Sequence, residues 1–232
     1  SMGTHNYQDD LLGSSHSWNH DVSISGGTER TKYYATLNYI NDKGSLKNTG
    51  FRRWNGNVKL TQDINKKLKW NLDARYSEMQ FKGAKFEYAT CSYNFRPIDT
   101  PLGEDDGSLL GLGDSHVSQS FNPVSIYDNY TSIHTRNRMR ANNSLIWTPI
   151  KGLTGKTELT LGRNWSEQKT WDGGFEEGYS HAKLKKSDGY HVKWTSTINY
   201  NVQGLGKDHK LDLLAGNEVL ASKSSSTTVS YT

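Results

Sequence analysis

Few side chains in this 232-residue sequence are arranged in a way that could support catalysis. His20 stands next to Asp21, and Asp114 lies two residues before His116. An acid–base pair must act on the same group, whereas adjacent residues of a strand face opposite ways. The single cysteine, Cys91, carries no recognisable catalytic signature, and one cysteine excludes an internal disulfide. We therefore expect no catalytic residues and no enzymatic activity.

An acidic stretch, "GEDDGS" at residues 103–108, is the part of the sequence that most suggests a metal ion. An EF-hand loop places its ligands over about twelve residues and ends in a bidentate Glu, a pattern that this stretch does not continue. A plain turn is the favoured interpretation, and we predict no metal site and no cofactor.

Aromatic residues in the long connecting segments are candidates for ligand binding. Aromatic rings have apolar faces and could stack on a sugar or a peptide. The competing interpretation, which the general need of long loops for internal packing favours, is that these rings pack loops together or against a partner protein. The candidates are Tyr88, Tyr93, Phe95, Trp171 and Phe175.

The elements that must position these residues are strands, as "YHVKWTSTINYNV" at residues 190–202 indicates. Its alternate residues Tyr190, Val192, Trp194, Ile198 and Tyr200 are apolar or amphipathic, and the residues between them are polar. A period of two is typical of a strand that separates an apolar from an aqueous environment. One such strand fits either a sheet of a soluble β-sandwich or the wall of a membrane barrel.

The same period recurs along the chain and predicts an all-β fold with about eight strands. Several exceed ten residues, which is long for a soluble strand of about 5–6 residues and close to the roughly 9–11 that a barrel strand needs to cross a bilayer. The predicted strands are 18–26, 31–41, 50–62, 67–80, 135–148, 153–166, 190–202 and 209–221.

The connections between these strands alternate in length. The short ones are 27–30, 63–66, 149–152 and 203–208, and the long ones are 42–49, 81–134 and 167–189. In an antiparallel up-and-down meander, every second connection lies at the same end. Short periplasmic turns opposite long extracellular loops are typical of outer-membrane barrels, whereas a Greek-key sandwich has no reason to sort its loops in this way. We therefore expect extracellular loops at 81–134 and 167–189.

The two faces of the predicted strands differ in charge. The polar face includes four arginines expected to line the lumen, Arg53, Arg75, Arg138 and Arg140. Six tryptophans stand near strand ends, as membrane girdles would require. Trp18, Trp54, Trp165 and Trp194 are predicted at the long-loop ends, and Trp70 and Trp147 at the short-turn ends. Asn143 and Arg163 fall in the apolar phase; Arg163 could snorkel to an interface, and Asn143 would need a bulge.

Composition excludes several classes of protein. The net charge of +4 comes from 28 basic and 24 acidic residues that are intermixed, so no continuous basic track for nucleic acid is indicated. No run of about 18 apolar residues predicts a helical membrane span. The start, "SMGTHNYQDD", looks like a cloning remnant, and we expect 1–17 to be a lead-in and 18–232 a partial barrel.

Residues 19–77 contain "NHDVSISGG", "TKYYATLNYINDKG" and "KNTGFRRWNGNVKLTQDINKKLKWN". With "FNPVSIYDNY", "WTPIKGLTGKTELTLG" and "GKDHKLDLLAGNE" further on, these motifs resemble SusC/RagA-type TonB-dependent transporters of Bacteroidetes outer membranes, in the same order. The resemblance covers roughly residues 6–221.

The resemblance implies a barrel of the 22-stranded type, filled by an N-terminal plug, that imports glycans or peptides with energy from TonB and carries a SusD-like surface lipoprotein. It implies that the lumenal arginines face carboxylates of the plug. The plug and the TonB-contacting part are missing from this sequence, so we expect a fragment of the barrel wall that cannot transport alone. A soluble β-rich carbohydrate-binding module is the alternative.

Overall fold

The computed structural model describes residues 9, 12–84, 130–173, 180–202 and 209–231, and these form long antiparallel strands. The strands are β1 His16–Gly27, β2 Thr31–Lys43, β3 Gly50–Asn65, β4 Leu68–Gly83, β5 Tyr130–Trp147, β6 Leu153–Asp172, β7 His181–Asn201 and β8 Asp212–Tyr231. The described residues include no helix long and apolar enough to cross a membrane.

The eight strands make one sheet in the order β1 to β8, so every strand pairs with its neighbours in sequence. This confirms the predicted all-β up-and-down meander. Pairing is continuous along each ladder except for one register shift between Asp63 and Asn65 near the β3–β4 turn. A long ladder specifies register because a slip by one residue would exchange the two faces of a strand.

Three connections share what we call the loop end of the sheet: 44–49, 84–129 and 173–180. The other end, called the turn end, holds 28–30, 66–67, 148–152 and 202–211. The structure thus preserves the predicted assignment of connections to two ends. The asymmetry in length rests on 84–129, most of which lies outside the described residues.

The predicted long loop at 167–189 is wrong in its bounds. β6 and β7 stay paired out to Asp172 and His181, so only 173–180 connects them. The error has a physical cause: beyond Trp165 both faces are polar, as in "SEQKT" and "KLKKSD", so the alternation that marks a strand disappears. For the same reason, the prediction missed the start of β5 and the last ten residues of β8, from Ser222 to Tyr231.

The sheet is a single layer with two distinct faces. Directly paired residues lie on the same face, so the register places Val22, Leu37 and Gly56 together, and likewise Asp21, Asn38 and Asn55. The first set belongs to what we call the apolar face and the second to the polar face. All residues of the outer strands β1 and β8 are exposed, as expected of strands with one open edge.

Candidate functional site

A belt of apolar side chains crosses the apolar face of the sheet. On β7 it runs from Tyr190 to Tyr200, ten residue steps, which is about 33 Å along the strand and about 25 Å when tilted by about 40°. No second layer of described residues covers its side chains, and Ile198 is 58% exposed. Other strands contribute Val22, Ile24, Leu37, Val58, Leu60, Leu72, Ala74, Met139, Leu145, Leu159, Leu161, Leu213 and Val219. The height matches the apolar band of an outer-membrane barrel.

Aromatic rings mark the loop-end border of this belt. The rings of Tyr39 and Trp54 lie 4.2 Å apart, centroid to centroid, and those of Tyr76 and Trp165 lie 6.2 Å apart. Amphipathic rings favour the border between lipid tails and headgroups. The geometry is therefore that of a girdle.

Arg163 lies at the same border. Its guanidinium stands 4.9 Å from the ring centroids of both Trp165 and Tyr190, and its Nη2 lies 2.6 Å from Asp188 Oδ2. At the edge of the belt, where Arg163 was predicted to snorkel, two aromatic rings and one carboxylate therefore stabilise its charge. Sequence reasoning did not find Asp188, because it falls in the stretch taken for a loop.

Tryptophans also lie at the turn end, where Trp147 pairs with Leu68 and Trp70 with Leu145. Trp194 was expected at the loop end. It lies on the apolar face but nearer the turn end, since β7 begins at His181 and not at Tyr190. Trp18 lies on the apolar face of β1 and is 55% exposed.

Polar residues inside the belt are few and are in part satisfied within the sheet. The hydroxyls of Thr157 and Ser196 lie 3.0 Å apart, and Trp194 Nε1 donates to Thr157 Oγ1 at 2.8 Å. Asn143 remains on the apolar face, because the β4–β5 and β5–β6 ladders run through it without a register shift. No bulge therefore turns Asn143 to the polar face.

The middle and the turn end of the polar face are charged but internally neutralised. Arg75 makes a bidentate contact with Asp73, with both distances 2.8 Å. Lys156 Nζ lies 2.6 Å from Glu158 Oε2, and Glu158 also accepts a hydrogen bond from Asn142. Lys193 pairs with Glu218 at 2.8 Å. A face of this kind suits a water-filled or plugged lumen.

The loop-end half of the polar face is basic. The register brings Arg53 and Arg138 onto it, together with Arg136, which the sequence analysis missed, and Arg140 stands on the same face level with Arg75. The signal for Arg136 was available, because it continues the alternate series of Arg138 and Arg140. Burial, and then the charges of Arg136 and Lys185, lower the pKa of His134, which lies beyond the belt at the loop end.

The structure describes one of the five predicted ligand-binding aromatics, Trp171. Tyr88, Tyr93, Phe95 and Phe175 lie outside the described residues, as do Cys91, Asp114, His116 and "GEDDGS". Trp171 belongs to β6 and not to a loop. It shares the face of Trp165, away from the arginines, and is 45% exposed.

The remaining chemical candidates do not come together. His20 pairs with Tyr39 and Asp21 with Asn38, so the two side chains lie on opposite faces. Over the described ranges, no group of three or more His, Cys, Asp and Glu side chains could hold a metal ion.

A meander of long strands with an apolar belt on one face and a charged, hydrated face behind it defines the wall of an outer-membrane β-barrel. No protein-family model matches the sequence. It is 24% identical over 214 residues to TonB-dependent receptor P26 of Formosa agariphila, covering 89% of this chain and 21% of that receptor. Over 78 residues it is 35% identical to TonB-dependent receptor SusC of Bacteroides thetaiotaomicron, covering 32% of this chain and 8% of SusC.

Solved structures share the fold. The RagAB peptide importer in its open-open state superposes with a TM-score of 0.77 at 17% identity, covering 98% of this chain and 26% of that one. FpvA of P. aeruginosa, bound to heterologous pyoverdines, gives a TM-score of 0.58 at 16% identity, covering 94% of this chain and 28% of that one. The resemblance to SusC/RagA-type TonB-dependent transporters is confirmed, and the chain spans about a fifth of the length of receptor P26. These relatives are receptors and transporters, not enzymes.

Proposed function

We propose that this chain is part of the barrel wall of a TonB-dependent importer of glycans or peptides in the outer membrane of a Bacteroidetes cell. The observation that carries the proposal is the uncovered apolar belt on one face of a single meander. Lipid is the partner that such a belt fits. The eight described strands form only part of a closed wall, so import belongs to the longer protein and not to this segment alone.

The residues have distinct roles in this proposal. Trp18, Trp54, Trp70, Trp147, Trp165 and Trp194 contact the membrane as girdle or belt residues. Arg75, held by Asp73, faces the plug at mid-height of the lumen. A SusD-like surface lipoprotein sits over the loop end, and TonB engages the protein through a part outside this chain. The aromatic residues Tyr88, Tyr93, Phe95 and Phe175 contact substrate or lipoprotein from the loops.

The alternative, a soluble carbohydrate-binding module, would need a second layer to cover the apolar belt. A β-sandwich buries such a face against another sheet, with side chains of both sheets interdigitating. The described strands all belong to one sheet, so this alternative loses its main support.

Cysteine labelling tests the proposed placement. In the full-length protein with Cys91→Ser, Val192→Cys and His191→Cys place a thiol on adjacent residues of opposite faces. A membrane-impermeant maleimide added to whole cells should label His191→Cys in the water-filled lumen and leave Val192→Cys unlabelled in lipid. Equal labelling of the two variants, or absence of the protein from the outer-membrane fraction, would contradict the proposal.

A further inference from the structure

The positive charge of the polar face is unevenly distributed. In the middle and at the turn end, Arg75, Lys156 and Lys193 each have a carboxylate within 2.8 Å. From the level of the Arg75–Arg140 pair to the loop end, β3, β4 and β5 carry Arg53, Arg136, Arg138 and Arg140 on this face, and the described residues of these strands place no carboxylate nearer the loops than Asp73. The excess charge is therefore concentrated near the loops.

The arginines also stand close to one another. Arg136, Arg138 and Arg140 are alternate residues of β5, about 7 Å apart along the strand. Arg140 lies directly opposite Arg75, whose own charge is offset by Asp73, and only Met79 separates Arg53 from Arg136 across the sheet. Like charges in such positions destabilise a sheet unless something neutralises them. An anionic group from outside the described residues would provide that neutralisation.

Their guanidinium groups have donors to spare. Arg138 donates from Nε to Asn164 Oδ1 at 3.2 Å, and Arg136 donates from Nε to His134 Nε2 at 3.2 Å. Within the described part of the chain, the terminal nitrogens of these two arginines have no hydrogen-bond acceptor, and Arg140 makes no direct ion pair, although its charge attracts Asp73, the partner of Arg75. All three side chains are exposed. Arginine can bind a carboxylate with two parallel hydrogen bonds from such free nitrogens.

A recess lies beside these groups. It measures about 190 Å³. Residues of the polar face, Met79, Arg136, Arg138, Asn164, Ser166 and Ser187, line it together with Asn137 and Trp165, which belong to the apolar face. β6 and β7 present small residues on this face, since Ser166 pairs with Ser187 and Gly189 follows two residues later. The recess gives a ligand group room to approach two guanidinium groups from the side.

We propose that this loop-end arginine patch, Arg53, Arg136, Arg138 and Arg140, binds carboxylate groups of the imported substrate, so that the importer selects acidic oligomers. The inference rests on the proposed function, because the loops of such a barrel face the exterior and substrate reaches the loop-end half of the lumen first. Both acidic glycans and acidic peptides carry the carboxylate that the patch would recognise. A plug carboxylate is the competing occupant.

The test measures binding to the purified full-length protein in detergent, with oligomers that carry an uncharged dye. A hexameric galacturonate is compared with its neutral methyl ester, and hexaglutamate with hexaglutamine. We expect one acidic oligomer to bind at least ten-fold more tightly than its neutral counterpart, and the pair that shows the preference identifies the substrate as glycan or peptide. Equal binding within both pairs would overturn the inference.

Matched variants assign the preference to the patch. Arg138→Gln with Arg140→Gln should reduce it at least ten-fold and leave neutral binding unchanged. Arg52→Gln with Lys82→Gln removes the same charge at the same end of the opposite face and should leave the preference intact. A preference that survives the first pair, even with a lowered melting temperature, would indicate the plug as partner and overturn the inference.

The outcome also separates the two proposals. Full-length protein that forms no heat-modifiable barrel in the outer membrane would overturn the proposed function, and with it the inference. A folded barrel without acidic preference would overturn the inference alone.

Discussion

Exchanging two adjacent residues of β2 for arginine tests which face of the sheet meets lipid. Leu37 lies on the apolar face between Tyr33 and Tyr39, is 49% exposed, and pairs with Val22 and Gly56. Its neighbour Thr36 lies on the polar face. Thr36 pairs with Ser23 and Asn57, whose side chains are short and polar, so an arginine has room to reach water.

The expected loss of unfolding free energy follows from how deep residue 37 lies in the bilayer. The stretch from Tyr33 to Tyr39 covers six residue steps, about 20 Å along the strand, and Leu37 is one step from its centre. Arginine on the lipid face costs about 2–4 kcal/mol near the bilayer midplane, whereas a surface change in a wet environment stays within about 0.5 kcal/mol. Leu37→Arg should therefore lower the free energy of unfolding by about 3 kcal/mol, a roughly 150-fold change in the equilibrium.

The assay folds the full-length protein into lipid vesicles and follows urea unfolding, with the heat-resistant band on a semi-native gel as a second readout. Leu37→Arg should lower the urea midpoint and the yield of heat-resistant barrel, and Thr36→Arg should match the wild type. Equal losses from both variants, or a larger loss from Thr36→Arg, would refute the assignment of the two faces.

Three further predictions concern single contacts. Ile198→Arg, which like Leu37→Arg places a charge on the apolar face two residues from an aromatic border of the belt, should cause a comparable loss in the same urea assay, and a loss within about 0.5 kcal/mol would contradict its placement toward lipid. Trp194→Phe removes the hydrogen bond to Thr157 and should cost about 1 kcal/mol, whereas Thr157→Ser, which keeps a hydroxyl, should be close to neutral. Gly162→Ala places a methyl group where the ring of His191 lies and should lower the melting temperature; adding His191→Ala should restore it, and an unrescued double variant would show that the ring is not the obstacle.

The strands that cross the belt could be located from sequence because each carries its own period of two. The stretches around Leu37, Leu72 and Ile198 alternate with few exceptions, such as Ser196, and the face of each residue follows from its parity alone. The arginines Arg53, Arg75, Arg138 and Arg140 could be assigned to the opposite face for the same reason. This information is local, so it needs no knowledge of the partner strand.

The extensions beyond the belt could not be located in this way. Residues such as Glu167, Lys185 and Ser224 lie in strands whose two faces both meet water at the loop end. Alternation arises only where one face leaves water, so a strand that is wet on both faces resembles a loop in sequence. Trp194 was assigned to the wrong end of β7 for this reason, because the prediction began the strand at residue 190 and not at His181.

The sequence by itself determined that this protein has long strands, an apolar side and a charged side, because side-chain direction alternates along every extended chain. Only the tertiary structure decided which residues stand opposite one another, such as Arg75 and Arg140 across a separation of 65 residues, or Arg163 and Tyr190 beside Asp188. Register depends on pairing between distant segments, and no local pattern contains it. The concentration of unpaired arginines at the loop end is a consequence of that register.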